Sequence, residues 1–432
     1  MTKYNLYNFT SIFLITLATL SYFLGFYFDE NSAGAGGPKG DIVHIWSNLN
    51  IYINNDILSS LDHPDYYDSR LPTAYLMHEY LNPFIDTKIG FRRSVFVISL
   101  TLPLLFFLCL KKKFKKTDDL LLLLISSTLF LSPYFRTSAY WGLEENYGLI
   151  FLLLTFLCLN NFLNNENFKK YKTYLQIFFI TFLSSCCFYF DQKLIIIPLI
   201  CFFQILLSNK NIQLKLLTIF LYSLFSIPFI CLIIIWGNIV HPSSAIRVMH
   251  GSELLLFNIG YTSSIIAFYI FPILFFLEKN LLYKIKNFFW TKFNYLLIVL
   301  IFAYLAYLMF YLDFGHLTDL GKGIVHKSGK ILFENQFLRE IFTYFSFLIS
   351  GIILIIFLNK NLKNTLILLY FFSLSLILWP IFQEYFDPLI LVMAFTFFNL
   401  KMTINYKNSF ILYIYLSFLL MGSNIYYSNL VN

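Results

Sequence analysis

Side chains capable of acid–base chemistry are concentrated in the first long polar segment, residues 28–93. It holds nine acids, among them Asp29, Glu30 and Asp41, and it also holds Arg70. A carboxylate can act as general base on a hydroxyl group. Arginine binds phosphate or carboxylate through two parallel hydrogen bonds. The segment therefore predicts a site where an acid activates a hydroxyl beside a bound anion.

Further charged residues stand at the ends of later apolar runs, where ionisable groups are costly and often functional. We predict that cations among them hold an anionic group and that the remainder bind substrate. The predicted phosphate-binding residues are Arg70, Arg136, Lys193 and Arg247. The predicted substrate-binding residues are His44, Glu144, Glu145, Asp191, His250 and Glu384.

Composition specifies the scaffold that must position these residues. The 432-residue chain is 58% hydrophobic and 12% charged, which excludes a soluble globular domain. Its long continuous apolar runs exclude an outer-membrane barrel, which alternates apolar and polar residues. We predict an all-α, polytopic membrane protein that forms a single domain, 1–432, with about thirteen spans. The spans are 9–28, 94–110, 120–133, 147–163, 174–190, 194–208, 216–236, 258–277, 294–312, 340–358, 365–380, 387–400 and 408–427. Those at 120–133, 194–208 and 387–400 are short, so each either tilts little, borrows flanking residues or is partly re-entrant.

The loops between these spans alternate in charge, which predicts their orientation. One set is rich in lysine, as in Lys111-Lys112-Lys113-Phe114-Lys115-Lys116, and we assign it to the cytoplasm. All six arginines fall on the opposite side, together with most of the acids. Residues 28–93 are then an extracytoplasmic first loop, and the stretch from His44 to Ile53 has the spacing of an interfacial helix. This distribution of the net charge of +8 does not point to nucleic acid.

The sequence gives less indication of disulfides or metal sites than of an acid–base site. The six cysteines all fall within predicted spans, so we expect no extracytoplasmic disulfide, and no zinc-ligand spacing occurs. An acid-rich loop can hold Mg²⁺ or Mn²⁺ through carboxylates. No ligand spacing in the sequence requires a metal.

The order of these motifs resembles that of the GT-C superfamily of membrane glycosyltransferases, and distantly its dolichyl-phosphate-glucose α-1,2-glucosyltransferase family. That family carries an Asp-Glu-x-x-His motif, a Pro-containing segment that ends in Tyr, and a Thr-Glu-Ala-Gly motif. The matching stretches are Gly40-Asp41-Ile42-Val43-His44, Asp68-Ser69-Arg70-Leu71-Pro72-Thr73-Ala74-Tyr75 and Leu143-Glu144-Glu145-Asn146. Later, looser matches are Phe190-Asp191-Gln192-Lys193, His241-Pro242-Ser243-Ser244-Ala245 and Gln383-Glu384-Tyr385-Phe386-Asp387-Pro388.

The resemblance implies transfer of a sugar from a polyprenyl-phosphate donor to a lipid-linked or surface glycan acceptor. It implies catalysis on the extracytoplasmic face, which in a bacterium is the periplasmic or outer face of the inner (plasma) membrane. The acidic pair of the family is split here, so the catalytic acid is Asp29, Glu30 or Asp41. Asp191 and Asp387 stand where the family has arginine, so donor and acceptor differ from those of the eukaryotic enzyme.

Two other functions fit part of the pattern. A polysaccharide polymerase or ligase acting on a polyprenyl-diphosphate glycan would share the arginines but would have its large loop late in the chain. A flippase for lipid-linked glycans would have internal repeats, broken helices and charges near the membrane midplane. The sequence shows none of these, and its charges fall at the predicted helix ends.

Overall fold

The computed structural model describes residues 3–32, 37, 40–164, 170–208, 211–243, 255–277, 292–311, 321–358, 361–378 and 380–431. These residues form helices and turns, and an isolated bridge pairs Leu277 with Met402. The all-α prediction is confirmed over this part of the chain. The chain divides into two compact units, residues 1–246 with 416–432, and residues 247–415.

The first unit alternates long apolar helices with short ones. Its helices are α1 (Lys3–Tyr27), α2 (Asp41–Asn54), α3 (Ile57–Leu61), α4 (Thr73–Leu81), α5 (Lys88–Ser99), α6 (Thr101–Lys113), α7 (Asp119–Ser127), α8 (Pro133–Trp141), α9 (Glu145–Asn164), α10 (Lys170–Phe190), α11 (Ile196–Ser208) and α12 (Ile212–Trp236). Short 3₁₀ turns, Thr128–Leu131 and Gln192–Ile195, precede α8 and α11. The three short helices α2, α3 and α4 lie in the predicted first loop.

The second unit contains α13 (Phe257–Ile270), α14 (Lys292–Tyr311), α15 (Gly323–Leu332), α16 (Gln336–Leu358), α17 (Leu362–Ser375) and α18 (Leu389–Phe395), with 3₁₀ turns at Phe271–Phe276 and Gln383–Tyr385. The last helix, α19, is Tyr406–Val431. The α13 helix packs against α16 because Gly260 lets the ring of Phe347 lie against its backbone. Tyr304 reinforces this contact from α14, since its hydroxyl accepts from Gly260 N–H at 2.9 Å and donates to the Leu256 carbonyl at 2.8 Å.

Eight helices within the described ranges are long and apolar enough to cross a membrane, as expected of a multi-pass membrane protein. They are Asn5–Tyr27, Lys88–Lys113, Glu145–Asn164, Tyr171–Phe190, Ile212–Trp236, Phe257–Phe276, Gln336–Leu358 and Tyr406–Ser428. Three shorter apolar helices, Gln192–Ser208, Asn294–Phe310 and Leu362–Ser375, coincide with further predicted spans.

Two of the thirteen predicted spans differ from expectation. The run at 120–133 belongs to a bent pair, Asp119–Leu131 and Pro133–Trp141, which meet at 65°. The run at 387–400 contains only the seven-residue helix Leu389–Phe395. Seven residues rise about 10 Å, well short of a bilayer core of about 30 Å. The sequence marked both runs as short and open to a re-entrant path, but it did not locate the bend, which a proline at the start of α8 allows.

The core of the first unit surrounds α8. Every residue from 124 to 149 is buried, although this stretch includes charged side chains. Ser132 caps α8 by accepting the Phe135 N–H at 3.1 Å, and Gly142 ends it in the left-handed region at φ +84°. The ring of Tyr22 from α1 stacks on those of Phe96 and Phe135. This packing fixes the direction in which the chain leaves α8 towards Glu144.

Candidate functional site

The α2 helix begins at Asp41. Its buried residues, which include Ile42, Ile45 and Leu49, recur at helical spacing and so form one face. The helix predicted at residues 44–53 is therefore present as α2. The carboxylate of Asp41 accepts the Gly37 N–H at 2.9 Å. His44 lies one turn further, with its Nε2 atom 3.3 Å from the Asn48 amide nitrogen. The first turn of α2 thus presents an acid and an imidazole together.

Asn48 holds the segment that carries Arg70 against α2. Its side-chain oxygen accepts the Tyr67 N–H at 3.2 Å, and its amide donates to the Tyr67 carbonyl at 3.3 Å. Beyond it, the Asp68 carboxylate accepts from the Tyr75 hydroxyl at 2.5 Å and from the Arg70 backbone N–H at 3.1 Å. Asn48 and Asp68 are both buried. Together these bonds fix the position of Arg70 relative to the start of α2.

The same segment is fastened at its other side by residues at and beyond the end of α12. The Trp236 indole donates to the Leu61 carbonyl at 2.9 Å, and Ser243 donates to the Tyr66 carbonyl at 2.8 Å. His241 lies 2.7 Å from the Ser243 hydroxyl and packs edge-on against the Tyr66 ring. Within the described part of the predicted first loop, the stretch from Leu61 to Arg70 is therefore held on both sides.

Arg70 reaches the two glutamates that follow α8. Its Nη2 atom lies 2.7 Å from Oε1 of Glu145, and its Nε atom lies 3.4 Å from Oε1 of Glu144. Ser138 of α8 lies 3.4 Å from the second oxygen of Glu145. The Arg70 side chain is 27% exposed, whereas that of Glu144 is only 5% exposed. Arg70 is thus the more accessible member of this group.

The junction of α10 and α11 adds a second ion pair. Nζ of Lys193 lies 2.9 Å from a carboxylate oxygen of Asp191, and both side chains are largely buried. Lys193 acts electrostatically on Glu145, while Asp41 is influenced by both Arg70 and Glu145. Residues from α2, the segment before α4, the α8–α9 junction and the α10–α11 junction therefore converge.

We call this group the carboxylate cluster. Its members are Asp41, His44, Asp68, Arg70, Glu144, Glu145, Asp191 and Lys193. It contains five carboxyl groups but only two permanently cationic side chains. Neighbouring carboxylates oppose the ionisation of Asp41, Glu144 and Asp191, in addition to the larger effect of burial.

The pKa values reflect this imbalance. Burial raises the pKa of Asp41, and the bond from Gly37 and the charge of Arg70 oppose the rise. Burial raises the pKa of Glu144 well above its usual value, with Arg70 opposing and Asp68 adding to the rise. Burial also raises the pKa of Asp191, against the lowering effect of Lys193. A carboxyl with a raised pKa accepts a proton more readily, which suits a general base.

Three other predicted site residues lie in a different place, which we call the paired arginines: Arg92 with Asp29, and Arg136 with Glu30. Arg136 lies 2.5 Å from a Glu30 oxygen and is 1% exposed. It also donates to the Phe130 carbonyl at 2.6 Å and to the Ser21 hydroxyl at 2.5 Å. These bonds join α1 to the bend before α8.

The second of the paired arginines is bound in a similar way. Arg92 lies 2.6 Å from Asp29 and donates to the Tyr140 carbonyl at 2.7 Å. Its guanidinium stacks over the Trp141 ring at 4.1 Å. Asp29 itself adopts a positive φ of 55°, which is uncommon for a residue with a side chain. Through these contacts Arg92 and Arg136 link α1, α5 and α8.

Three predicted site residues remain, namely Arg247, His250 and Glu384. Glu384 belongs to the second unit, where it acts on Lys327 of α15; burial lowers the pKa of Lys327 to about 8, and Glu384 opposes that shift. Arg247 and His250 lie outside the described residues. Within the described part of the chain, no set of three or more His, Cys, Asp or Glu side chains is arranged to hold a metal ion.

Sequence reasoning missed two positioning residues, Asn48 and His78. Asn48 follows His44 by one helical turn, and that spacing was the available signal. His78 of α4 lies 2.9 Å from the Tyr147 hydroxyl and 2.9 Å from the Asn82 amide, and burial lowers its pKa to about 4. Nothing in the sequence around His78 indicates a partner almost 70 residues away.

Comparison with protein-family models, with curated proteins and with solved structures gave no match.

Proposed function

We propose that the protein is a membrane glycosyltransferase that moves a sugar from a polyprenyl-phosphate donor to a lipid-linked or surface glycan acceptor. The observation that carries this proposal is the carboxylate cluster, in which Asp41, Arg70 and Lys193 come together from distant parts of the chain. It joins a candidate base to two cations beside long apolar helices. A lipid-borne substrate would place its phosphate and sugar at that position.

In this proposal Asp41 is the general base that takes the proton of the acceptor hydroxyl. Its carboxylate is held by Gly37 at the start of α2, and its raised pKa favours proton uptake. Arg70, partly exposed, and Lys193 neutralise the phosphate that leaves with the lipid. Of the three acids considered from the sequence, Asp41 is preferred because Asp29 and Glu30 are bound to arginines.

The proposed setting is a scaffold of about thirteen membrane crossings with the lysine-rich loops in the cytoplasm. At the predicted span 387–400, the seven-residue helix Leu389–Phe395 is too short to cross the bilayer core by itself. The active site then faces the periplasm or exterior of a bacterial inner membrane. The dependence of transfer on Mg²⁺ or Mn²⁺ is to be tested by varying the concentration of each ion in the transfer assay.

The test is transfer by membranes from a host that lacks the activity, supplied with a panel of polyprenyl-phosphate sugars. We expect Asp41→Asn to reduce transfer at least about 100-fold, as loss of a general base does. Asp29→Asn and Glu30→Gln, compared at equal amounts of folded protein, should retain more activity than Asp41→Asn. The matched control is Asp86→Asn, an exposed acid of the same segment. Full transfer by Asp41→Asn, or no transfer by the unaltered protein from any donor, would contradict the proposal.

A second candidate, a transporter of lipid-linked glycans, is favoured by one observation. The bent pair Asp119–Leu131 and Pro133–Trp141 is a broken apolar helix, and it carries the buried Arg136. Broken helices with buried charge are typical of transporters. Reconstituted protein that moves a fluorescent polyprenyl-diphosphate glycan across vesicles, with Asp41→Asn moving it equally well, would favour transport over transfer.

A further inference from the structure

Glu144 differs from the other members of the carboxylate cluster in how its carboxyl group is bound. Its side chain is 5% exposed, and Nε of Arg70 lies 3.4 Å from its Oε1 atom. Among the described residues, none donates a hydrogen bond to that oxygen. A buried carboxylate oxygen without a donor is costly, because burial removes the water that would otherwise bind it.

The neighbours of Glu144 cannot easily stabilise a negative charge there. Arg70 gives its short contact, 2.7 Å, to Glu145 instead. Asp68, Glu145 and Asp191 all act on Glu144 as like charges, and Arg70 is the cation that acts on it most strongly. Arg70 and Lys193 both act on Glu145, so little positive charge remains to balance Glu144 beside Asp68 and Asp191.

The hydroxyl groups around Glu144 are directed elsewhere. The Tyr75 hydroxyl donates to Asp68 at 2.5 Å, and the Tyr147 hydroxyl lies 2.9 Å from His78. The hydroxyl of Tyr66 has no hydrogen bond within the described ranges. Glu144 is therefore a buried acid inside the cluster, and its Oε1 atom accepts no hydrogen bond from the described residues.

We propose that Glu144 is a neutral carboxylic acid that binds an uncharged hydroxyl group of the sugar substrate. A neutral carboxyl has one O–H donor and a carbonyl acceptor, and a sugar hydroxyl is likewise both donor and acceptor. A phosphate or a carboxylate at this position would add to the excess negative charge of the cluster. Glu144 would thus help to select the sugar, while Asp41 acts on the acceptor; the inference rests on the proposed function.

The protonation state can be measured directly by infrared difference spectroscopy of the purified full-length protein at neutral pH. Subtracting the spectrum of Glu144→Gln from that of the unaltered protein should leave the carbonyl band of a protonated carboxylic acid. The matched variant Glu145→Gln should retain the band. Absence of this band in the unaltered protein, or its loss in Glu145→Gln instead, would overturn the proposal whether or not the protein transfers sugar.

The ligand class is tested on the same band with two probes, free monosaccharides and inorganic phosphate. We expect the band to shift when a sugar such as glucose or N-acetylglucosamine is added, because its hydrogen bonding changes. A shift with phosphate alone, or no shift with any monosaccharide, would overturn the assignment to a sugar hydroxyl.

The transfer assay then separates this inference from the proposed function. Because an amide is neutral and can donate and accept, Glu144→Gln should keep transfer within a few-fold. Glu144→Leu should raise KM for the donor sugar roughly tenfold with little change in kcat, as loss of one hydrogen bond does. Inactive Glu144→Gln beside an active unaltered protein would contradict the inference alone. An inactive unaltered protein would contradict the proposed function and leave the infrared result as the test of Glu144.

Discussion

The carboxylate cluster and the paired arginines contain the same kinds of side chain but use them differently. Arg136 is 1% exposed, and its nitrogens are bound by Glu30, by Ser21 and by the Phe130 carbonyl. Arg70 is 27% exposed and faces two glutamates within a group of five carboxyls. An arginine with its bonds filled and water excluded stabilises the fold. One that remains accessible beside surplus acid is suited to bind a ligand.

The largest expected effect is on the paired arginines. Arg136→Met would leave Glu30 buried without its cation, and removing one partner of a buried ion pair costs about 3–5 kcal/mol. We expect a large fall in the thermal unfolding temperature of the detergent-solubilised protein. Combining Arg136→Met with Glu30→Gln should recover part of that fall. If Arg136→Met left the unfolding temperature unchanged but abolished transfer, the distinction between the two regions would be wrong.

The next largest effect is the pH dependence of stability that arises from His78 of α4. Burial lowers the pKa of His78 to about 4, from an ordinary 6.5. The unfolded chain therefore binds this proton more readily, so stability is full above pH 6.5 and is lost as the pH falls towards 4. The loss should reach about 3 kcal/mol at the acid end. Unfolding temperatures measured from pH 7 down to 4 should fall less in His78→Gln, and equal slopes would contradict this account.

A smaller effect is expected at Gly142, which lies between the two regions. It has φ +84°, and a Cβ atom there would lie 2.6 Å from the Phe91 ring. Gly142→Ala should destabilise the protein by about 1–3 kcal/mol through backbone strain. It should also reduce transfer, because the turn at Gly142 leads directly to Glu144. Gly237→Ala is the control: it has φ +63° but open space around it, so strain alone would affect both variants alike.

The smallest effect on stability is expected at Asp29, the exposed partner of Arg92. The Asp29 side chain is 58% exposed, and ion pairs in water contribute about 0–1 kcal/mol. Asp29→Asn should therefore shift the unfolding temperature only slightly, and high salt should remove most of the difference. A loss of transfer as large as that of Asp41→Asn would return Asp29 to the candidate bases and weaken the comparison.

The sequence predicted the helical class, the helix α2 and most members of the carboxylate cluster. Asp41, His44 and Arg70 were selected because they lie in the acid-rich first loop. Glu144, Glu145, Asp191 and Lys193 were selected because they stand at the ends of apolar runs on the same predicted side of the membrane. These two criteria could not separate them from Asp29, Glu30 and Arg136, which satisfy them equally well. The pairing that distinguishes them, Arg136 with Glu30, joins residues 106 apart and depends on tertiary packing.

The bend before α8 and the short helix α18 fall in runs that the sequence marked as short and open to a re-entrant path, but hydropathy did not locate the breaks. Hydropathy measures the length of an apolar run, but not whether its backbone continues as one helix. Ser132 followed by Pro133 is a helix-start signal inside the run at 120–133, and it was available in the sequence. The run at 387–400 contains no such interruption after Pro388, so nothing local indicated that α18 would end at Phe395.

The members of the carboxylate cluster all lie between residues 41 and 193 of a 432-residue chain. Chains emerge from the ribosome amino end first, and early parts can fold while later parts are still being made. Every side chain of the cluster is thus synthesised before the residues of the second unit. Ribosome-bound chains halted far enough beyond residue 243 for Trp236 and Ser243 to clear the exit tunnel should already protect the Arg70 segment from protease.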